Sequence, residues 1–182
     1  CVAEAIGLAL PGSSSTPAPY ESRDEFAFDS GFSVMELIRK QIKPRDIVTR
    51  DSLINAARVV ACSGGSTNAA LHLPALANEI GIKFDIFDVA KIFKETPYIA
   101  DLKPAGKYVA KDLFEAGGVQ IMLRALLDGG LLNGDELTVT GKTIAENLET
   151  ILKRVESTLD RGSDNISSIW VKTTMGKSVR LG

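Results

Sequence analysis

Residues 49–81, TRDSLINAARVVACSGGSTNAALHLPALANEIG, predict two helices joined by a tight glycine turn. Thr49 is a residue type that caps helices, and four apolar side chains follow it at the spacing of one helix face: Leu53, Ala56, Ala57 and Val60. After Ser63-Gly64-Gly65 we expect a second helix over residues 66–80, with Gly81 in the left-handed conformation that commonly ends a helix. This stretch predicts a helix-rich fold.

The same reasoning places elements on both sides of this pair. Further helices are predicted over residues 1–10, 22–41, 85–95, 108–116, 119–128 and 144–154, with Gly31 as a point where the second of them could break. Thr143 and Glu146 form a capping box, in which a hydroxyl and a carboxylate each satisfy a free backbone donor. Short strands are predicted over residues 98–102, 137–140 and 166–171. The Ser/Pro-rich loop that runs from Pro11 through Pro19 is predicted to be the least ordered stretch.

Composition excludes several classes of protein. The 182 residues are 45% hydrophobic and 24% charged, which is typical of one globular domain with a core. A dispersed net charge of -2 argues against a nucleic-acid partner, and no apolar run approaches the roughly 20 residues that cross a bilayer. Two cysteines, Cys1 and Cys62, are too few for a disulfide framework. We therefore expect a soluble, cytoplasmic chain.

The turn between the two central helices is the candidate binding site. Gly64 and Gly65 let the backbone turn tightly, and Ser66, Thr67 and Asn68 then bring hydroxyls, an amide and backbone N–H groups to the positive end of a helix. Such a corner can hold a carboxylate or a phosphate, so these five residues are the predicted substrate contacts. The alternative is that Ser66 simply caps its helix with its side chain.

The other chemically active residues predict structure more readily than catalysis. Cys62 is either a reactive thiol with a lowered pKa or a buried, inert one, and His72 fits a core or hydrogen-bonded histidine better than a general base. Asp85 and Asp88 are best explained as capping residues, while residues 101–104 form either the rim of a site or a solvated loop. A metal or cluster site needs several ligands at regular spacing, which the sequence lacks. No catalytic residue and no metal ligand is predicted.

Five motifs occur in the order found in one enzyme family. They are CVAEAIGLALPGSSSTPA (1–18), KPRDIVTRDSLINAA (43–57), GGSTNAALHL (64–73), ADLKPAGKYVAKDLFEAGG (100–118) and LTVTGKTIAENL (137–148). Together they closely resemble the dihydroxy-acid dehydratases, which form a wider family with phosphogluconate and sugar-acid dehydratases. The resemblance covers about residues 1–149, so we assign residues 1–149 to part of the N-terminal domain of that family and residues 150–182 to a divergent tail.

The resemblance implies a fold and a reaction. The fold would be α/β, with this chain a helix-rich fragment of the family's N-terminal α/β domain. The reaction would convert small 2,3-dihydroxy-3-methyl acids to 2-oxo acids in valine and isoleucine synthesis, using an iron–sulfur cluster and Mg²⁺ in an enzyme that could be a homodimer. In the family the cluster cysteines and the Mg²⁺ ligands lie upstream of the position of Cys1, and the serine base lies in a second, barrel-like domain.

These observations lead to three hypotheses about the function of the polypeptide. We expect an interior piece of a dehydratase that is catalytically silent on its own. The alternative is a non-enzymatic remnant or interaction domain of the same fold. A third reading rests on residues 161–167, RGSDNIS, which faintly resemble the metal-aspartate motif of 2C-type serine/threonine phosphatases, but Asp164 has no evident companion ligands and chance explains the match better.

Overall fold

The computed structural model describes residues 1–158, 169–171 and 179–181. Within these ranges the elements are α1 (Val2–Ile6), α2 (Ser22–Arg39), α3 (Pro44–Ile47), α4 (Arg50–Cys62), α5 (Thr67–Glu79), α6 (Ile86–Glu95), α7 (Ala110–Glu115), α8 (Gly118–Asp128), α9 (Ile144–Thr158), β1 (Ile169–Val171) and β2 (Val179–Leu181). The two strands pair antiparallel, with Ile169 opposite Leu181. Within the described ranges, none of the helices has both the length and the apolar character needed to cross a membrane.

The central helix of the fold is α4, which packs against α1, α5, α6 and α8. Its predicted apolar face is confirmed, because Leu53, Ala56 and Ala57 are completely buried and Val60 is nearly so. Two alanines on this face let the neighbouring helices approach closely, and larger side chains such as Leu126 of α8 fill the remaining space. Helix α4 is therefore the centre around which the others assemble, and α5 packs on α4 and α6.

Side-chain caps fix the starts of three helices. Thr49 Oγ1 accepts a hydrogen bond from Ser52 N at 3.0 Å. Asp85 Oδ1 accepts from Asp88 N at 3.0 Å, while Asp88 Oδ2 accepts in return from Asp85 N at 3.0 Å. Ahead of α9, Thr143 N donates to Glu146 Oε2 at 2.8 Å, which confirms the predicted capping box. These helix starts could be predicted from the local sequence because each capping residue lies within three residues of its partner.

Several helices differ from their predictions, and α9 continues to Thr158 rather than ending at residue 154. Helix α1 ends at Ile6 rather than continuing to residue 10, because Gly7 adopts φ 95° and its N–H bonds back into the helix. Helix α2 continues through Gly31 without a break. The short helix α3 was not predicted, whereas Gly81 follows α5 with φ 77°, as predicted.

Two predicted strands are wrong. Residues 98–102 and 137–140 form no strand, and each contributes only a single bridge, Leu102 with Tyr108 and Leu137 with Thr143. The sheet layer expected of an α/β domain is therefore not found among the described residues, which are mainly helical. Of the predicted strand 166–171, Ile169–Val171 is confirmed as β1, while residues 166–168 and Asp164 lie outside the described residues.

The Ser/Pro-rich loop is held in place, contrary to the prediction from its composition. Glu4, which is only 3% exposed, accepts hydrogen bonds from Gly12 N at 3.0 Å and from Ser14 N at 2.8 Å. The hydroxyl of Ser14 also donates to Glu4 at 2.6 Å, and Thr16 is buried. Composition does not reveal this order because the acceptor comes from α1 rather than from the loop itself.

Candidate functional site

The chain reverses direction at the glycine turn that joins α4 to α5. Gly65 N donates to Val60 O at 2.8 Å, which ties the turn back onto α4. Gly64 and Gly65 adopt φ 111° and 76°, a region that favours glycine over residues with a side chain. The two glycines therefore bring the start of α5 directly beside the end of α4, as the sequence predicted.

A second loop packs on this turn. The carbonyl of Cys62 accepts hydrogen bonds from Ile99 N at 2.9 Å and from Ala100 N at 2.8 Å. A Cβ atom added at Gly64 would lie only 2.8 Å from the carbonyl oxygen of Leu102. The structure thus brings together the glycine turn and the loop that contains residues 101–104, which the sequence had identified separately.

Tyr98 stabilises the second loop from within. Its hydroxyl donates a hydrogen bond of 3.0 Å to Asp101 Oδ1. Partial burial raises the pKa of the Tyr98 phenol, and the neighbouring Asp101 carboxylate raises the pKa further. The phenol therefore remains a protonated donor, which fixes Asp101 to Tyr98 within the loop.

The start of α5 lacks a side-chain cap. Ser66 is the N-cap residue with extended backbone (φ -161°), but its side chain accepts no hydrogen bond from the helix, so the reading of Ser66 as a simple side-chain cap is wrong. The backbone N–H groups of Thr67 and Asn68 find no acceptor within the described part of the chain. Both residues are exposed. This helix end therefore presents unsatisfied donors at its positive pole.

Two clefts flank this corner. One has a volume of about 590 Å³ and lies between α1 and α5; the other has a volume of about 670 Å³ and lies between α5 and α6. Gly65, Ser66 and Asn68 line both clefts, so the start of α5 separates them. The first cleft is also lined by Cys1 and His72 and the second by Phe93 and Pro104. Asn68 therefore lies at both clefts, whereas Thr67 lines only the second.

Cys62 and His72 occupy different environments from each other. Cys62 is completely buried, its thiol donates to Val59 O at 3.3 Å, and burial raises the pKa of the thiol to about 12. The reading of Cys62 as a reactive thiol is therefore wrong. His72 is exposed at the first cleft rather than placed in the core, which corrects the expectation for this residue.

The described residues do not fit an iron–sulfur cluster or Mg²⁺ as ligands. No three His, Cys, Asp or Glu side chains of the described ranges lie close enough together to hold a metal ion. Of the two cysteines, Cys1 is exposed and Cys62 is buried with a protonated thiol. Cluster iron needs several thiolates in one place.

Sequence analysis missed the residues that form the walls of the second cleft. Phe93 and Pro104 line it together with Ile86, which starts α6. Helical periodicity could place Phe93 on α6, but nothing local shows that this helix faces the glycine turn. The contact depends on how α6 packs against α4 and α5.

A family model described as the dihydroxy-acid/6-phosphogluconate dehydratase N-terminal domain matches residues 1–147. The match covers four of the five motifs completely and all but the last residue of the fifth. It also contains the glycine turn and the loop that packs on it.

Three similar proteins are named dihydroxy-acid dehydratases. The chain is 64% identical over 165 residues to a dihydroxy-acid dehydratase of Pelagibacter ubique, which is 91% of this chain and 29% of that protein. It is 68% identical over 150 residues to dihydroxy-acid dehydratase 2 of Mesorhizobium japonicum and 50% identical over 149 residues to dihydroxy-acid dehydratase 2 of Corynebacterium efficiens. These two matches cover 82% of this chain and 26% of each relative. The chain thus spans less than a third of the length of these relatives.

Proposed function

The chain belongs to the dihydroxy-acid/6-phosphogluconate dehydratase family, and from this premise we propose that it serves in the conversion of 2,3-dihydroxy-3-methyl acids to 2-oxo acids. The observation that carries the proposal is the 64% identity over 165 residues to a protein named dihydroxy-acid dehydratase. The pathway would be valine and isoleucine biosynthesis in the cytoplasm. The motif ADLKPAGKYV (100–109) favours branched-chain dihydroxy acids over sugar acids as substrates.

The proposed role of this chain is to bind and orient the substrate. A dihydroxy acid carries one carboxylate, and the start of α5 offers the unsatisfied N–H groups of Thr67 and Asn68 at a positive helix pole. Gly64 and Gly65 keep side chains away from this point, while Ser66 can add a hydroxyl. The five residues Gly64 to Asn68 are therefore the proposed substrate contacts, and the flanking clefts would hold the rest of the molecule.

We propose that other parts of the enzyme bind the cofactors of the reaction. Because the described residues do not fit an iron–sulfur cluster or Mg²⁺ as ligands, no step of the reaction is assigned to either group here. We propose that this chain on its own produces no 2-oxo acid. The helices would form one layer of a larger α/β domain in an enzyme of two subunits.

A chimeric enzyme tests the proposal. Residues 1–147 of this chain replace the matching region of the Pelagibacter ubique relative, and formation of 2-oxo acid from 2,3-dihydroxy-3-methylbutanoate is measured with the cofactors reconstituted. We expect turnover by the chimera and none by the 182-residue chain alone. The matched control is the unaltered relative, which keeps its own sequence in that region. A chimera that folds and binds its cofactors but has no activity would overturn the dehydratase proposal. Turnover by the 182-residue chain alone would overturn the proposal that this chain is inactive on its own.

The same chimera tests the substrate class. We expect a higher kcat/KM for 2,3-dihydroxy-3-methylbutanoate than for 6-phosphogluconate, which is the other substrate named in the description of the family. A preference for 6-phosphogluconate would contradict the assignment to branched-chain acids. It would leave the carboxylate-binding role of the corner intact, because both substrates are carboxylates.

A further inference from the structure

A small cavity lies where α8 and α9 meet the residues around α1. Its volume is about 10 Å³, close to the lower limit of about 10–15 Å³ for holding one water molecule. Four of the residues that line it are polar, and all four are buried: Glu4, Gln120, Thr138 and Asn147. The others are Ala9, Pro11, Leu123 and Ile144. Half of the lining residues are thus polar, whereas cavities that stay dry are apolar.

The side-chain amide of Gln120 turns its nitrogen toward Glu4. Gln120 Nε2 donates to Glu4 Oε2 at 2.6 Å, and the Glu4 oxygens also accept from Gly12 and Ser14. A carboxylate offers only acceptors, so the amide oxygen, Gln120 Oε1, must face another direction. This oxygen accepts no hydrogen bond from the described residues. Every described buried side-chain N or O atom that is shielded from solvent has a partner, so Oε1 is open to a water molecule although Gln120 is only 8% exposed.

The side-chain amide of Asn147 keeps one hydrogen that is not used. Thr138 Oγ1 donates to the carbonyl of Lys142 at 2.9 Å, so its single hydroxyl hydrogen is committed there. Asn147 must therefore turn its NH₂ group toward Thr138, and Nδ2 donates to Thr138 Oγ1 at 2.8 Å. On the other side of the amide, Asn147 Oδ1 accepts from Thr140 Oγ1 at 3.0 Å. An amide nitrogen carries two hydrogens, so Asn147 Nδ2 has a second donor that no described residue accepts.

We propose that one water molecule is bound in this cavity, where it accepts a hydrogen bond from Asn147 Nδ2 and donates one to Gln120 Oε1. Ala9 supplies a third contact, because it lines the cavity and its backbone N–H donates to no described residue. About three hydrogen bonds are typical of a buried water. The two amides make no direct hydrogen bond to each other within the described chain, so the water is the link between them.

The water joins two networks that are far apart in sequence. One network is centred on Glu4 and ties both α8 and the Ser/Pro-rich loop to α1. The other ties the loop around Thr138 to α9. Helix α9 is thereby coupled to α1, whose residues Val2 and Ile6 line the first cleft. Binding of the water does not depend on dehydratase activity.

Nuclear magnetic resonance of the isotopically labelled 182-residue chain tests for the water directly. The side-chain amide protons of Gln120 and Asn147 should both show cross-peaks to water, with opposite signs in NOESY and ROESY spectra. Opposite signs distinguish a long-lived bound water from proton exchange. Asn78 is the matched control, because it is exposed and its amide should show no such pair of signals. Absence of the cross-peaks at Gln120 and Asn147 would overturn the proposal, as would a crystal structure in which these two side chains bond directly to each other.

A double-mutant cycle tests the link between the two amides. Gln120→Met and Asn147→Leu each remove one contact to the water, and urea denaturation gives the unfolding equilibrium constant of both single variants and of the double variant. A water that has lost one partner contributes less through the other. The increase in the unfolding constant of the double variant should therefore be at least about threefold smaller than the product of the two single increases.

The control cycle combines Gln120→Met with Thr140→Val. Thr140 donates to Asn147 but does not line the cavity, so this pair shares the network without sharing the water. Its two effects should multiply. Multiplication of the effects of Gln120→Met and Asn147→Leu, or an equal deviation in the control cycle, would overturn the link through water. Circular dichroism of each variant checks that the helices are intact.

Discussion

Gln120 of α8 donates a buried hydrogen bond of 2.6 Å from Nε2 to Oε2 of Glu4 in α1, across 116 residues of sequence. The same carboxylate accepts from the backbone of Gly12 and from both the backbone and the hydroxyl of Ser14. One side chain therefore joins two helices and a loop, and its bond to Gln120 is buried. The neighbouring α1 residues line the first cleft, so this network also sets the position of that wall.

Glu4→Gln should lower the free energy of unfolding by about 3 kcal/mol, since hydrogen bonds to a buried charged group contribute about 1.5–3 kcal/mol each. The introduced amide NH₂ would face donors instead of accepting from them. Urea denaturation followed by circular dichroism measures the loss. The control is Glu25→Gln on an exposed position of α2, where we expect a change of no more than about 0.5 kcal/mol. Equal effects at both positions would contradict the structural role of Glu4.

Gly64→Ala should destabilise the fold by about 3 kcal/mol, from two causes that act together. The backbone has φ 111°, and the new Cβ would lie 2.8 Å from Leu102 O, so the second loop must move. Gly81→Ala separates the causes, because Gly81 has φ 77° but no atom within 4 Å of the Cβ position. We expect it to cost only about 1–2 kcal/mol from backbone strain. Thermal or urea unfolding of both variants gives the comparison, and a larger loss at Gly81 would refute the close packing at Gly64.

Thr67→Pro should weaken substrate binding in the chimeric enzyme without destabilising α5. Proline is well tolerated at the first position of a helix, and Ser66 before it already has the extended backbone that proline requires. The substitution removes one backbone N–H of the proposed carboxylate site, so KM should rise about tenfold, as for the loss of one hydrogen bond to a charged group. Thr67→Ala keeps the N–H and should change KM much less. An unchanged KM for Thr67→Pro would exclude this N–H from substrate binding.

Only one of the two thiols should react in the folded protein at neutral pH. Burial raises the pKa of the Cys62 thiol to about 12, so it remains protonated, whereas Cys1 is exposed. Labelling with a maleimide should modify one cysteine per chain under native conditions and two in urea. Two labels at the native rate would show that Cys62 is accessible.

The same burial predicts how stability depends on pH. A thiol whose folded pKa lies above its unfolded value of about 8.5 stabilises the fold fully below that pH. The stabilisation is lost as the pH rises from there toward 12, at up to about 1.4 kcal/mol per pH unit. Unfolding of wild type and Cys62→Ala at pH 8 and pH 10 should therefore show a steeper loss for wild type. Parallel losses would show that the thiol ionises equally in both states.

Local sequence determined the helices at the centre of the protein. The spacing of Leu53, Ala56, Ala57 and Val60 predicted the buried face of α4, and Asp85, Thr143 and Glu146 predicted helix starts. These predictions succeeded because a helix face and a cap depend on residues within one or two turns of each other. The predicted strands at residues 98–102 and 137–140 were wrong because strand pairing depends on residues that are distant in sequence. Ile99 and Ala100 donate to Cys62, far away in sequence, so β propensity did not decide their pairing.

The sequence also located the glycine turn, Gly64 to Asn68, and the family motifs that surround it, but its role as a substrate site remains a proposal. Only the tertiary structure shows that the turn lies between two clefts, that the loop containing Asp101 packs on it, and that Ser66 leaves its helix uncapped. It likewise shows that Glu4 orders the Ser/Pro-rich loop and that no described residue buries any side chain of α2. Periodicity reveals that a residue is apolar and which helix face it occupies. Which surface meets that face is determined by packing between residues distant in sequence, and that information is not local.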